Sequence, residues 1–205
     1  MSKDGFDNES RIVRELDGKS FNELSTHFKE IIKKIYPSVE ETSNISAEKL
    51  GGTLKSDIEL TIDGNIYGIS IKKGSGNSVH QEPLEEFIKY IRESLNADEA
   101  TCNCIASFIW GDRTTDGTGY VRYRVSAREY KKINPDCVDK IQDFFDKNSV
   151  TLIERFLTVG VIEEKEADFI YYGNSVVGKI ITSEQAVEYL CNNPLNNKPH
   201  VGGLS

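Results

Sequence analysis

Residues 55–86, KSDIELTIDGNIYGISIKKGSGNSVHQEPLEE, decide how the chain is read. Ile58, Leu60 and Ile62 alternate with Asp57, Glu59 and Thr61, the period of two that marks a half-buried strand. Asp63-Gly64 is the dipeptide best suited to a two-residue hairpin turn, because both turn positions need positive φ. A second strand then alternates Tyr67, Ile69 and Ile71 against Gly68, Ser70 and Lys72. With that turn, Ile62 pairs with Asn65, Leu60 with Tyr67, Ile58 with Ile69 and Asp57 with Ser70. A three-residue loop would set Asp57 against Ile71 and mix polar with apolar faces, so the burial pattern rejects it. Opposed side chains lie about 5 Å apart at Cβ. One face therefore gathers Asp57, Glu59, Ser70 and Lys72, with open space expected beside Gly68.

Working outward, the composition bounds the possibilities. A chain of 205 residues, 38% hydrophobic and 28% charged, suits one soluble globular domain over residues 1–205, with 1–18 and 192–205 as loosely held tails. No apolar run approaches the roughly 20 residues a membrane span needs. The N-terminal MSKDGFDNES has no apolar signal core, so the expected location is cytoplasmic. The four cysteines lack the CxxC spacing of a structural zinc site and read as buried free thiols. A net charge of −8 argues against generic polyanion binding. The cations are nonetheless concentrated locally: Arg113, Arg122, Arg124, Arg128, Lys131 and Lys132 stand against only Asp116 and Glu129 over that span.

Before the hairpin, Ser20 to Glu23 has the form of a capping box. Phe21, Leu24, Phe28, Ile31 and Ile35 recur at helical spacing until Pro37, and a polar connector spans 38–52. After it, Lys73 to Asn77 reads as a flexible turn, and Leu84, Phe87, Ile88, Ile91 and Leu95 stripe a second helix with Pro83 in its first turn. Residues 101–110 read as a buried strand, 111–119 as a loop, 120–125 as a strand and 136–159 as mostly helical. A hairpin around Gly173-Asn174 and a short helix over 183–190 complete the chain. This order implies an α/β (α+β) sandwich with a mixed central sheet.

A helix, an Asp-bearing strand, a hairpin turn and a strand ending in x-x-Lys together resemble the PD-(D/E)XK nuclease superfamily, especially its type II restriction endonucleases. The matching positions are Ser56-Asp57 and Ser70-Ile71-Lys72, within residues 18–110. Ser56 replaces the proline, and Ser70 stands where most members carry an acid or Gln. Some Ser-x-Lys members supply the missing acid from the following helix, which here offers Glu85, Glu86 or, one turn earlier, Gln81; Glu82 lies in the same window. Gly18 to Glu23 resembles the first-helix start that often carries a metal-binding glutamate, although Glu23 already serves the capping box. The resemblance implies a restriction-endonuclease-like sandwich, its mixed central sheet flanked by helices.

It further implies metal-assisted phosphodiester hydrolysis. Mg²⁺ would be held by Asp57, a second carboxylate such as Glu23 and the carbonyl of Ile71, with Lys72 orienting water and stabilising negative charge. The implied substrate is double-stranded DNA, cut by a homodimer, with a DNA methyltransferase as possible companion. An Asp–Lys pair across a hairpin is equally the form of an ordinary surface ion pair. Candidate DNA contacts are Lys73, Asn77 and Ser78 in the Gly-rich turn, and Arg113, Arg122 and Arg124, the last two on one strand face. Two rival readings remain: a nuclease-fold nucleic-acid-binding protein that has lost catalysis, and an acidic interaction or immunity-type protein. Fold alone separates none of them.

Overall fold

The computed structural model describes residues 3–51, 54–73, 82–161 and 166–193. The chain divides into two compact units, Met1–Gln81 with Glu154–Tyr189, and Glu82–Ile153 with Leu190–Ser205. Together they make an α+β protein with a six-stranded mixed sheet.

The first unit opens with α1 (Lys3–Leu16), the short strand β1 (Lys19–Ser20), a 3-10 turn over Phe21–Glu23 and α2 (Thr26–Ile35). Strands β2 (Asn44–Lys49), β3 (Ile58–Ile62) and β4 (Asn65–Lys72) follow, and β5 (Phe169–Gly173) and β6 (Gly178–Thr182) close the sheet. The strand order is sequential from β1 to β6. Every neighbouring pair is antiparallel except β4 with β5. A parallel pair needs a crossover, and residues 73–168 supply it.

The hairpin register follows the alternation, with Ile58 paired to Ile69, Leu60 to Tyr67 and Ile62 to Asn65. Asp57, expected opposite Ser70, instead lies past the end of the ladder, its amide donating to the Ile69 carbonyl at 2.9 Å. Asp63 and Gly64 take φ of 48° and 84°, the left-handed values that a two-residue turn requires. The apolar face so formed packs Ile58, Leu60, Ile62, Ile69 and Ile71 against Ile12 and Leu16 of α1 and Phe28, Ile31, Ile32 and Ile35 of α2. The late hairpin and the helix after it, α8 (Ser183–Asn192), also lie where the sequence puts them.

Several expectations are corrected. Residues 3–16 form a helix rather than a loose tail; Ile12, Val13 and Leu16 are too few to give a sequence signal, yet Ile12 and Leu16 are buried under the sheet. The polar connector contains β2, whose Ile45 and Ala47 are buried while Asn44, Ser46 and Glu48 are exposed; two apolar residues make a short alternation. The capping box exists, the Ser20 amide donating to Glu23 Oε2 at 2.8 Å, but it closes the 3-10 turn. The longer helix starts at Thr26, its cap the Ser25 hydroxyl accepting from Phe28 N at 3.3 Å.

The second unit is helical: α3 (Leu84–Ser94), α4 (Glu99–Trp110), a 3-10 turn at Val121–Tyr123, α5 (Ala127–Ile133), α6 (Pro135–Lys147) and most of α7 (Ser149–Glu154). Residues 101–110, expected as a strand, are α4. Its residues Cys102, Cys104, Ile105, Ala106 and Phe108 are all buried, and a short, mostly apolar run carries too weak a period to distinguish helix from strand. The caps decide it: the Asp98 carboxylate accepts from Thr101 N at 2.6 Å, and Gly111 ends the helix at φ 62°. Residues 120–125 form the 3-10 turn, not a strand, with Tyr120 and Val121 exposed.

A further correction concerns the thiols. Cys104 of α4 and Cys137 in the first turn of α6 form a disulfide, whereas Cys102 and Cys191 are free. Reading residues 101–110 as a strand hid this pairing, because it placed Cys104 in the wrong element. Among the described residues no helix is long and apolar enough to cross a membrane.

The disulfide closes a sequence separation of 33 residues. On the chain-entropy argument, replacing Cys104 and Cys137 together by serine lowers the stability of the second unit by roughly 3–4 kcal/mol. Guanidinium unfolding with and without dithiothreitol measures it: the reductant should destabilise the native protein and leave the double variant unchanged.

Candidate functional site

The candidate site grows from the place where the hairpin ladder stops. With Ile62–Asn65, Leu60–Tyr67 and Ile58–Ile69 as the hydrogen-bonded pairs, Ser56 with Ile71 would come next. Ser56 does not take that place. Its hydroxyl turns away to donate to the Glu166 carbonyl at 2.6 Å. The Ile71 amide instead donates to Asp57 Oδ2 at 2.5 Å. Asp57 thus supplies from its side chain the acceptor that the strand no longer supplies from its backbone.

Two further groups converge on the same carboxylate. The Ser70 hydroxyl donates to Asp57 Oδ2 at 3.3 Å, and Lys72 Nζ lies 3.8 Å from that oxygen. The lysine distance is too long for a hydrogen bond, so the attraction is coulombic. Asp57 and Lys72 side chains are only about a fifth exposed, 22% and 23%, while Ser70 is wholly buried. Asp57, Ser70 and Lys72 therefore project to one side of the sheet, opposite the packed core. All three of these contacts fall on Asp57 Oδ2. A strand residue's N–H and C=O project to the same edge, so the Ile71 carbonyl faces the Asp57 side, as its amide does.

The space beside Gly68 is not open. A Cβ there would lie 2.3 Å from Ser56 Oγ and 2.5 Å from the Glu166 carbonyl. Glycine is required because the segment entering β5 crosses directly over it. Asp168 fixes that crossing, its carboxylate accepting from Gly68 N at 2.7 Å and its own amide donating to the Gly68 carbonyl at 2.8 Å. Sequence reading missed Asp168, since a hundred residues separate the two and only tertiary folding joins them.

The other candidates are placed as follows. Glu23 is held by Ser20, whose hydroxyl donates to Oε2 at 2.6 Å; these hydrogen bonds keep its carboxyl below the ordinary range. Glu85 and Glu86 occupy the exposed first turn of α3, in the second unit. Lys73 follows β4 and is half-buried, while Gln81, Asn77 and Ser78 fall outside the described residues. Arg122 and Arg124 do not share a strand face, because residues 121–123 are a 3-10 turn. Arg124 Nε donates to the Trp110 carbonyl at 3.0 Å, and the Arg122 guanidinium lies over Tyr120 and Tyr123 at 4.9 and 5.0 Å. Arg113 covers Tyr123 at 4.8 Å.

Among the described residues, no group of three or more His, Cys, Asp or Glu side chains is placed to hold a metal ion. What the hairpin offers a cation is one carboxylate oxygen and one carbonyl. That set fits Mg²⁺, which commonly takes one or two carboxylates and fills its shell with water and substrate phosphate. No protein-family model matches the chain, and no curated protein matches its sequence.

Chemically, then, a carboxylate, a hydroxyl and an ammonium group meet at a strand end. The strand-end role and the charge can be separated by substitution. Asp57→Ala removes the acceptor for the Ile71 amide and should cost roughly 1–3 kcal/mol of stability. Asp57→Asn keeps an oxygen there and should cost less than about 1 kcal/mol. Urea unfolding of both variants checks this, and equal losses would show that charge alone holds the strand end.

Proposed function

We propose that the chain is a Mg²⁺-dependent DNA endonuclease of restriction type, with the hairpin as its catalytic element. The observation that carries this reading is the convergence of Asp57, Ser70 and Lys72 on one side of the sheet, locked by the turn register. The motif spacing that resembles PD-(D/E)XK nucleases requires this juxtaposition, and the mixed sheet with α1 and α2 on its core face suits the same class of sandwich. The substrate is duplex DNA, cut on both strands by a homodimer in the cytoplasm, and a DNA methyltransferase is the companion such an enzyme calls for.

Asp57 and the Ile71 carbonyl would hold the ion, with water and substrate phosphate filling the rest of its shell. When bound, Mg²⁺ supplies Lewis-acid polarisation of the scissile phosphate and acidifies a water. The chain's own groups do the rest. The Ile71 amide and Ser70 hydroxyl fix the Asp57 carboxylate in one orientation, so that it need not reorganise. Lys72, whose stem is partly buried, presents its ammonium group beside that carboxylate, where it can orient the attacking water and neutralise the charge that builds on phosphate.

A second reading is favoured by one observation. Ser70 is wholly buried where an acid is usual in the resembling enzymes, and it donates to Asp57 rather than offering a carboxylate. A protein that binds nucleic acid without cutting it fits that substitution.

Incubation of supercoiled plasmid with the protein in Mg²⁺ or in EDTA tests both readings. The nuclease reading expects Mg²⁺-dependent nicking and linearisation, with Lys72→Ala slower by about a hundredfold or more and its duplex binding retained. Salt-sensitive DNA binding by the wild type with no cleavage would select the second reading. Full cleavage by Lys72→Ala would remove the hairpin from the mechanism.

A further inference from the structure

Two tyrosines of the second unit face solvent without any packing role to explain them. Tyr120 is 70% exposed and Tyr123 37%, and Val121 between them is 83% exposed. Arginines bracket the rings. The Arg122 guanidinium lies over both, the Arg113 guanidinium over Tyr123, and the rings themselves meet edge to face at 6.1 Å. Arginine over a tyrosine face fixes the ring by cation–π attraction, and the 70% exposure of Tyr120 leaves ring surface beyond Arg122 open to a ligand.

The platform is rigidly presented. Asp112, buried at the foot of the loop, accepts from Thr114 N at 3.0 Å, Thr114 Oγ1 at 2.7 Å and Gly119 N at 3.2 Å. The Thr114 hydroxyl in turn accepts from Gly117 N at 3.0 Å. Gly117 lies so close to the Trp110 ring that a Cβ would meet it at 2.7 Å. Arg124 and the Val125 amide bind the Trp110 and Gly111 carbonyls, closing the loop's other end. An exposed aromatic pair on so braced a loop has already lost the conformational entropy that binding would otherwise cost.

We propose that Arg113, Tyr120, Arg122 and Tyr123 form a stacking site for unpaired bases of single-stranded DNA. Charge selects a polyanion. From Arg113 to Lys132 six cations stand against two carboxylates on a chain of net charge −8, and Arg128, Lys131 and Lys132 are exposed on and beside the same span. Ring faces select an unpaired strand. In a duplex the base faces are already stacked on their neighbours, whereas splayed bases stack on tyrosine and arginine planes regardless of sequence. The choice of DNA rests on the proposed nuclease reading, whose substrate would then carry a single-stranded segment such as a tail, flap or bubble.

Fluorescence anisotropy of the full chain with a labelled oligothymidine of about 16 nucleotides, the upper site size of one stacking module, tests this. Duplex and oligouridine of equal length serve as the other arms. Tyr120→Ala should weaken oligothymidine binding about 5- to 150-fold and leave duplex binding within about twofold, whereas Tyr120→Phe should behave as wild type. Arg122→Gln should lower the salt slope for the single strand by about 0.7. Wild-type affinity in Tyr120→Ala, or equal losses on duplex and single strand, would overturn the site. Binding of oligouridine in preference to oligothymidine would overturn the assignment to DNA.

Cleavage keeps the two proposals apart. A wild type that binds oligothymidine through Tyr120 yet cuts nothing in Mg²⁺ upholds the platform and defeats the nuclease. A wild type that cuts plasmid while Tyr120→Ala binds every strand normally does the reverse.

Discussion

Asp63 and Gly64, held at positive φ, set the register on which the central sheet depends. A side chain in a strand changes face with every residue, so a slip of one would carry Ile58, Leu60 and Ile62 out of the core and Asp57 into it. Asp63 does more than turn the chain. Its carboxylate accepts from the Ser43 hydroxyl at 2.6 Å and from Asn44 N at 2.9 Å, which ties the start of β2 to the turn between β3 and β4. Three strands are thereby registered by one residue. The apolar face then has a single way to meet α1 and α2, and everything polar on the hairpin is driven to the opposite side.

That separation gives the Asp57 corner its character. A carboxylate at the end of a ladder is useful structurally, because it accepts the amide that the departing strand has abandoned. The same placement is useful chemically, since the carboxylate is fixed by hydrogen bonds from Ile71 and Ser70 and accompanied by Lys72. The contacts given by Ile71, Ser70 and Lys72 all fall on Oδ2.

The long connection between β4 and β5 brings the second consequence. Parallel strands force the chain to leave the sheet and return, and it returns across Gly68 at van der Waals distance. Asp168 and Ser56 fasten the crossing. The insertion made along the way is a helical unit with its own disulfide and its own exposed loop, so that the hairpin and the Tyr–Arg platform stand on separately built supports. A charged strand end stands on one and an exposed Arg–Tyr cluster on the other.

Local physics determined a good part of this from residue types alone. Alternation and one dipeptide fixed the β3–β4 pairing to the residue, and with it the meeting of Asp57, Ser70 and Lys72; the 3.6-residue stripes gave α2 and α3, and Gly173-Asn174 gave the last hairpin. The failures share a cause. Residues 101–110 carry too few polar positions to mark a clear period, so their helix was decided by burial and by the Asp98 and Gly111 caps. Among the described residues β2 and α1 bury only two apolar side chains each, Ile45 and Ala47 in one and Ile12 and Leu16 in the other, and both exist because the sheet offers each a surface. The Cys104–Cys137 link, the closure of the space at Gly68 and the Arg113–Tyr123 stacking join positions whose proximity no spacing encodes, because only the packed chain, minimising exposed apolar surface and unpaired polar groups at once, brings them together.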